Sequence, residues 1–243
     1  MNPIELFNLE KEENIKAQGN DNEAVEAGIQ FIVKVNPYKY SYNFSWMGRP
    51  IIQFPQDIVA MQELIWQIQP DLIIETGIAH GGSLIFYASM MELVGKGEVL
   101  GIDIDIRSHN KEEIEKHPMS KRIKMIQGSS IDHDVFKKVK EEAEGKKTIL
   151  VVLDSNHTHQ HVLDELKLYA PLVTPGSYLV VFDTIVEDVP DELFADRPWG
   201  KGNNPKTAVW EFLKGNSDFT IDAAIHNKLL ITVAPDGYLK RIR

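Results

Sequence analysis

Five places in this chain set an acid, a hydroxyl or an imidazole directly after a short apolar run: Glu75-Thr76-Gly77, Asp103, Gly128-Ser129, Asp154-Ser155-Asn156-His157 and Asp183-Thr184. In an open parallel sheet, ligands bind at the carboxyl ends of the strands, so five such endings converge on one edge if the runs are strands. Asp154 and Asp183 would end adjacent strands, and neighbouring carboxylates repel unless something positive lies between them. Oxygen ligands of this kind suit a hard divalent cation such as Mg²⁺. His157 follows closely after Asp154, and its imidazole can serve as general base near neutral pH. His159 and His161 come directly after it, and the sequence does not choose among the three. The loop Gly77-Ile78-Ala79-His80-Gly81-Gly82-Ser83 has glycines that let backbone approach a ligand in front of a helix N-terminus. Ala79 takes the middle glycine position of a G-x-G-x-x-G loop, which disfavours a pyrophosphate and with it a dinucleotide. Asp103, ending the next run, is placed to accept hydrogen bonds from two ribose hydroxyls.

The elements that must hold these residues follow from periodicity. Strands are expected at Leu72–Glu75, Val99–Asp103, Ile123–Gln127, Ile149–Asp154 and Tyr178–Asp183, and helices at Ser83–Val94, Lys111–Lys116, Asp134–Glu144, His159–Leu172 and Pro205–Lys214. Strands apolar at nearly every position are buried on both faces, as in a parallel sheet covered by helices. Before them, Ile58, Met61, Ile65 and Ile68 share a helical face that ends at Pro70, and Val25, Ile29, Ile32 and Val33 recur at helical spacing. The alternating stretch Tyr38, Tyr40, Tyr42, Phe44, Trp46 reads as an edge strand or an aromatic plug. Phe219–Ile225 and Leu229–Ala234 read as two strands of an antiparallel hairpin turning at His226-Asn227-Lys228. Residues 187–204, rich in Pro, Gly and Asn, form a long non-periodic loop, and Arg197, Trp199 and Lys201 in it are placed to close over a polar substrate. The chain divides into an N-terminal helical and aromatic extension, residues 1–50, and a catalytic domain, residues 51–243.

Composition limits the function. The 26 Lys+Arg against 36 Asp+Glu leave a formal charge of -10, which argues against nucleic acid or anionic lipid as the main partner. The absence of cysteine excludes disulfides, thiolate-bound zinc and thiol nucleophiles, so any metal sits on oxygen or imidazole. Apolar runs such as Ile149 to Leu153 are far shorter than the roughly 20 residues of a membrane span. Glu5, Glu10, Glu12 and Glu13 do not fit the basic start and apolar core of a signal peptide, and a cytoplasmic location is expected. The aromatic N-terminal stretch is more apolar than a free edge, so a homo-oligomer is expected.

The runs Ser45-Trp46-Met47-Gly48-Arg49-Pro50, Gln53-Phe54-Pro55-Gln56-Asp57 and Pro70 through Ser83 resemble the cephalosporin hydroxylase family. Gly101-Ile102-Asp103-Ile104-Asp105, Gly128-Ser129-Ser130, Leu153-Asp154-Ser155-Asn156-His157, Tyr169-Ala170-Pro171-Leu172-Val173 and Gly176-Ser177-Tyr178 extend the resemblance over about residues 45–185. Despite that name, the family is similar to S-adenosylmethionine-dependent O-methyltransferases, including relatives that methylate sugar hydroxyls of glycosylated natural products and glycolipids. The resemblance implies a doubly wound α/β fold of Rossmann-like, class I methyltransferase type: a mostly parallel seven-stranded sheet with an antiparallel last strand. It implies S-adenosylmethionine held at Glu75, Gly77, Ser83, Asp103 and Ser129 with Asp154 beside them, Mg²⁺ on Asp154 and Asp183, and catalysis by His157 as base together with Asp154. The expected acceptor is a small-molecule hydroxyl, that of a glycoside or glycolipid sugar.

One departure is visible. The family pattern has Glu-Asp where this chain has Phe182-Asp183. Thr184, Glu187 or Asp188 replaces the missing acid, water fills its place, or this branch binds no metal. Two other readings accompany the methyltransferase: a hydroxylase with non-haem iron on His157, His161 and Asp154, and a cofactor-binding homologue without turnover.

Overall fold

The structure, a computed structural model, describes residues 2–243. Two helices come first, α1 (Pro3–Gly19) and α2 (Asn22–Val35), followed by a short antiparallel ribbon of β1 (Phe44–Trp46) and β2 (Arg49–Ile51) and by α3 (Pro55–Ile68). The main alternation is β3 (Leu72–Thr76), α4 (Gly82–Val94), β4 (Glu98–Asp103), α5 (Ser108–Lys116), β5 (Ile123–Gln127), α6 (His133–Ala143), β6 (Ile149–Leu153), α7 (His159–Tyr169) and β7 (Tyr178–Val181). The chain then adds α8 (Pro205–Gly215), β8 (Phe219–Ile221), α9 (Ala223–Leu229) and β9 (Tyr238–Arg241).

Seven strands form one sheet in the order β5-β4-β3-β6-β7-β9-β8. Only β9, the last strand in sequence, runs against the others, slotted between β7 and β8. The expected mostly parallel, seven-stranded α/β sheet with an antiparallel last strand is therefore observed. Each central strand divides its side chains by the pleat. Ile73, Leu150, Val152 and Val180 face a core shared with α3, α4 and Ile114 of α5. Ile74, Val151, Leu153 and Val181 face one shared with α6, α7 and α8. Every residue of β3, β6 and β7 is buried, which accounts for the unbroken apolar runs of β6 and β7 and of Leu72–Ile74 in β3. Among the described residues, no helix is long and apolar enough to cross a membrane.

The first strand, β3, lies between β4 and β6, so the chain winds outward from it in both directions and opens a crevice at the carboxyl ends of β3 and β6. Thr76 is bonded across this point, its carbonyl accepting from Asp154 N–H at 2.9 Å, while Gly77 N–H donates to Ile102 O at 2.7 Å. Gly77 has φ +92°, and a Cβ there would lie 2.0 Å from the Asp154 carbonyl oxygen. The close approach of β3 and β6 at the crevice thus depends on this glycine.

Two expectations are corrected. The proposed hairpin in the tail is not one: Ala223–Leu229 is helix α9, and the antiparallel partner of β8 is Tyr238–Arg241. Ile225 of α9 is buried in the core, and Leu229 and Val233 pack against that core partly buried. Nor is Tyr38–Trp46 a continuous strand. Pro37 opens a 3₁₀ turn, Lys39 adopts a left-handed φ of 48°, and only Phe44–Trp46 pairs. Tyr40 behaves as a plug, its ring 5.5 Å from Phe31, 5.1 Å from Phe44 and 5.5 Å from Phe54. The same region joins α2 to the segment after β7 through Ile32, Phe54, Ile185 and Val189.

Candidate active site

The crevice holds a cavity of about 510 Å³. One wall is the glycine loop and the first turn of α4, with Gly77, Ile78 and Ser83; the floor is Asp154, His157 and Asp183. The opposite wall comes from residues 32–54 and from the long loop, with Tyr40, Phe54, Arg197 and Trp199 among its residues.

Asp154 and His157 follow β6, and Asp183 follows β7, whose parallel pairing aligns Leu153 with Val181. The two loops therefore leave the sheet side by side. Asp154, His157 and Asp183 each offer a ligand atom within 4.8 Å of the others, and His157 Nε2 is 3.2 Å from Asp183 Oδ2. Asp183 has a left-handed backbone, φ 55°, a conformation an Asp tolerates better than most residues. Burial, then the nearby Asp183 and Glu75 charges, push the Asp154 carboxyl well above its ordinary value. This is the mark of a carboxylate whose stabilising positive partner is not supplied by the chain.

Of the three histidines left open by sequence, His157 alone reaches this group. His159 Nδ1 meets Thr207 Oγ1 at 2.8 Å and its Nε2 meets Glu211 at 3.1 Å, which fastens it to α8. His161 Nε2 lies 3.1 Å from Ser130 Oγ, 3.2 Å from Ser155 Oγ and 3.5 Å from Glu165. Two histidines and an acid do not converge here, so the iron site of the hydroxylase reading is not assembled among the described residues.

Glu75, the penultimate residue of β3, has no solvent exposure. Its Oε2 accepts from Ser83 Oγ at 2.9 Å, while its Oε1 is buried without a partner. Burial, with a smaller contribution from Asp103, raises its pKa to about 8 against the pull of Ser83. Asp103 Oδ2 accepts from Ile78 N–H at 2.8 Å and Ala79 N–H at 3.2 Å, and its Oδ1 accepts from Asp105 N–H at 3.0 Å. Asp103 thus shapes the glycine loop in addition to standing at the end of β4. Glu75, Asp103 and Ser129 are not on the cavity wall, whereas Gly77, Ser83 and Asp154 are.

Phe182 is buried in the core, so the end of β7 supplies one acid only. The three residues considered as substitutes are engaged elsewhere. Thr184 Oγ1 donates to Pro235 O, Glu187 Oε2 accepts from Gly202 N–H and Asn204 Nδ2, and Asp188 pairs with Lys206 Nζ at 2.6 Å. Trp199 stands edge-on to His157, with ring centroids 4.8 Å apart at 88°, and the Arg197 guanidinium lies 5.4 Å from the Trp199 ring. Lys201 is not on the wall; its backbone N–H donates to Asp191.

Sequence reasoning missed the braces of the loop. Arg49 donates from Nε and Nη2 to His80 O and from Nη2 to Asn110 Oδ1, while Asn110 Nδ2 donates to Ala79 O. No periodicity marks such residues; the available signal was an arginine set among apolar neighbours.

The family model described as Rhamnosyl O-methyltransferase/CmcI matches residues 38–242. The chain belongs to this family. Rhamnosyl O-methyltransferase of Mycobacterium tuberculosis (strain ATCC 25618 / H37Rv) is 33% identical over 205 residues, covering 81% of this chain and 78% of the relative. The protein of the same description from Mycobacterium leprae (strain TN) is 31% identical over 201 residues, covering 81% and 82%. Among solved structures, CmcI with Mg and SAM superposes with a TM-score of 0.58 at 20% identity, covering 83% of this chain and 78% of that one. An O-methyltransferase from Bacillus cereus in complex with SAH gives 0.52 at 14% identity, covering 80% and 81%. These two likenesses establish the fold. As a member of the Rhamnosyl O-methyltransferase/CmcI family the chain is an O-methyltransferase, which sets aside the hydroxylase reading.

Proposed function

We propose that this chain transfers the methyl group of S-adenosylmethionine to a sugar hydroxyl of a glycoside, a rhamnosyl group being the first candidate. The observation that carries the reading is the meeting of Asp154, His157 and Asp183 on the floor of a cavity whose side wall is the glycine loop of a methyltransferase sheet. The names of the curated relatives support the sugar.

The residues fit the cofactor on two counts. Gly77 lets the ends of β3 and β6 come into backbone contact and itself lines the cavity, and the unpaired Glu75 Oε1 is an acceptor for a cationic donor. Gly77, Ser83 and Glu75 would hold the cofactor, with Asp103 and Ser129 at its nucleoside end and Asp154 beside its reactive centre. When bound, S-adenosylmethionine supplies an electrophilic methyl on a sulfonium that departs as a neutral thioether. Two carboxylates also suit Mg²⁺, which is commonly held by one or two protein acids and otherwise by water and substrate. Asp154 and Asp183 would hold it, and it supplies Lewis acidity towards the acceptor hydroxyl.

The chain's own residues do the rest. Asp154 and Asp183 fix where the acceptor oxygen sits, and the imidazole of His157, whose Nε2 faces Asp183, takes the hydroxyl proton on its other ring nitrogen as the oxygen attacks the methyl carbon. The edge of Trp199 holds the His157 ring, and Trp199, Phe54 and Tyr40 keep water from the reacting groups. Holding nucleophile and methyl in line supplies much of the rate.

The test is incubation with S-adenosylmethionine and Mg²⁺ over a panel of rhamnosides, other glycosides and simple phenols, read by mass spectrometry. A gain of one methylene on a sugar hydroxyl, greatest for rhamnosides, is the expected result. Methylation of the phenols alone, or of nothing in a preparation that binds S-adenosylhomocysteine, would overturn the assignment.

A further inference from the structure

The glycine loop carries a non-glycine residue in a glycine conformation. Ala79 has φ 46°, in the left-handed region where a Cβ is costly, and a residue in such a state persists only when its surroundings over-determine it. Asp103 holds the amide side, its Oδ2 accepting from Ile78 and Ala79 N–H. The carbonyl side is held by two elements outside the β3–α4 unit: Asn110 of α5 donates from Nδ2 to Ala79 O at 3.0 Å, and Arg49 of β2 donates from Nε and Nη2 to His80 O at 3.1 and 2.6 Å. Arg49 Nη2 also donates to Asn110 Oδ1 at 3.0 Å, which joins the two braces into one unit. Asn110 is buried, and both polar atoms of its amide are used in this way.

The same two elements press on the next residues of the loop. A Cβ on Gly81 would collide with Ile114 of α5, one helical turn beyond Asn110, and a Cβ on Gly82 with Pro50 O, next to Arg49. His117 Nε2 meets Met47 O at 3.1 Å and ties the end of α5 to the turn of the β1–β2 ribbon. Ala79, His80, Gly82 and Ser83 line the cavity, whereas Arg49 and Asn110 do not. One stretch of backbone thus faces the cavity and carries the braces. We propose that Arg49 and Asn110 are positioning residues for S-adenosylmethionine, holding the loop at the left-handed Ala79 in the shape the cofactor meets, so that binding does not have to bend it. The proposal rests on the cofactor reading above and deepens it by naming residues that act on that ligand through the loop backbone.

Calorimetry with S-adenosylhomocysteine, alongside thermal melting, tests it. When the competent shape of a loop is only partly populated, affinity falls by that fraction. Asn110→Ala and Arg49→Lys, which keeps the charge but not the fork, should each weaken S-adenosylhomocysteine by about tenfold, the worth of one or two hydrogen bonds. Arg49 is half-buried, so its variant keeps the test open should Asn110→Ala fail to fold. Glycine adopts a positive φ freely, so Ala79→Gly added to either variant should return affinity to within about threefold of wild type without restoring the melting midpoint. That gain should exceed the one Ala79→Gly gives the braced wild type, because the two changes act on one loop. A lowered midpoint with unchanged affinity would make the braces merely structural and overturn the proposal, and so would a loss that Ala79→Gly relieves no more than it improves wild type. A wild-type protein that does not bind S-adenosylhomocysteine would overturn the cofactor reading itself and the proposal with it.

Discussion

The two ends of the parallel sheet treat their carboxylates in opposite ways. At the amino-terminal end, Asp71 accepts from Lys96 Nζ at 2.9 Å and from the backbone N–H groups of Lys147 and Thr148, Glu98 pairs with Lys146 at 2.9 Å, and Glu92 bridges Lys121 and Arg122. These cations hold all three acids below the usual carboxylate range. At the carboxyl end, burial pushes Glu75 and Asp154 up, and among the described residues no ion pair reaches either of them, the nearby pairs being His157 with Asp183 and His161 with Glu165. An end that neutralises its own acids is finished as protein. An end that leaves them uncompensated is suited to a ligand carrying positive charge, and a sulfonium, an ammonium and a divalent cation all answer that description.

The contrast is tested most severely at the cavity floor. His157→Ala should lower methyl transfer by about 10²- to 10⁴-fold, the usual worth of a positioned base, while S-adenosylhomocysteine binding stays at the wild-type level. Steady-state kinetics and calorimetry on the same preparation give both numbers. Loss of less than tenfold would remove His157 from its role. Asp154→Asn should abolish the response of turnover to Mg²⁺ and yet raise the thermal midpoint, since it relieves the repulsion from Asp183 and Glu75. A lowered midpoint with unchanged turnover would mean that Asp154 belongs to the scaffold.

Much of this carboxyl edge was legible because chemistry and periodicity change at the same residue. Ile149 through Leu153 is unbroken and apolar, and Asp154 ends it; the strand stops where the burial stops. Where the two signals part, sequence misleads. Phe219–Ile225 and Leu229–Ala234 read as strands turning at His226-Asn227-Lys228, yet Ala223–Leu229 is helix, while β9, Tyr238–Arg241, carries two polar residues in four and hides its place inside the sheet. Tyr38–Trp46 alternates like a strand, but Pro37 and the left-handed Lys39 turn it into a plug. The choice of His157 over His159 and His161 needed the positions of Thr207, Glu211 and Glu165, which lie on α8 and farther along α7. Arg49 is quoted within the family pattern, but its reach to His80 O and Asn110 is a property of the fold alone.

Glu75 gives the next largest effect, in stability. Its folded pKa of about 8 lies above the ordinary 4.5, so the folded chain binds the proton more tightly than the unfolded one. The contribution to stability is complete below pH 4.5 and is lost as pH rises through about 8. Glu75→Gln removes that slope. The ligand-free variant should match wild type at acid pH and exceed it above about pH 8, by several degrees at the roughly 2–4 °C per kcal/mol expected for a domain of this size. Parallel melting curves for the two proteins across this range would show that Glu75 is neutralised within the chain after all.

The amino-terminal end should respond less and with the opposite pH dependence. Asp71→Ala removes the acceptor of two backbone N–H groups at the entry to β6 and the partner of Lys96. The expected cost is about 1–2 kcal/mol, a fall of a few degrees in the melting midpoint, with turnover within about twofold of wild type. Because Lys96 chiefly holds Asp71 below its ordinary value of 3.8, its contribution is present above that pH and disappears as pH falls through the lowered value. The gap between wild type and Asp71→Ala should therefore be constant through neutral and alkaline pH and close on acidification, whereas the gap for Glu75→Gln opens towards alkaline pH. A tenfold loss of turnover in Asp71→Ala would mean that the self-neutralised end also shapes the reacting groups, and the division of the sheet into a scaffold edge and a ligand edge would not hold.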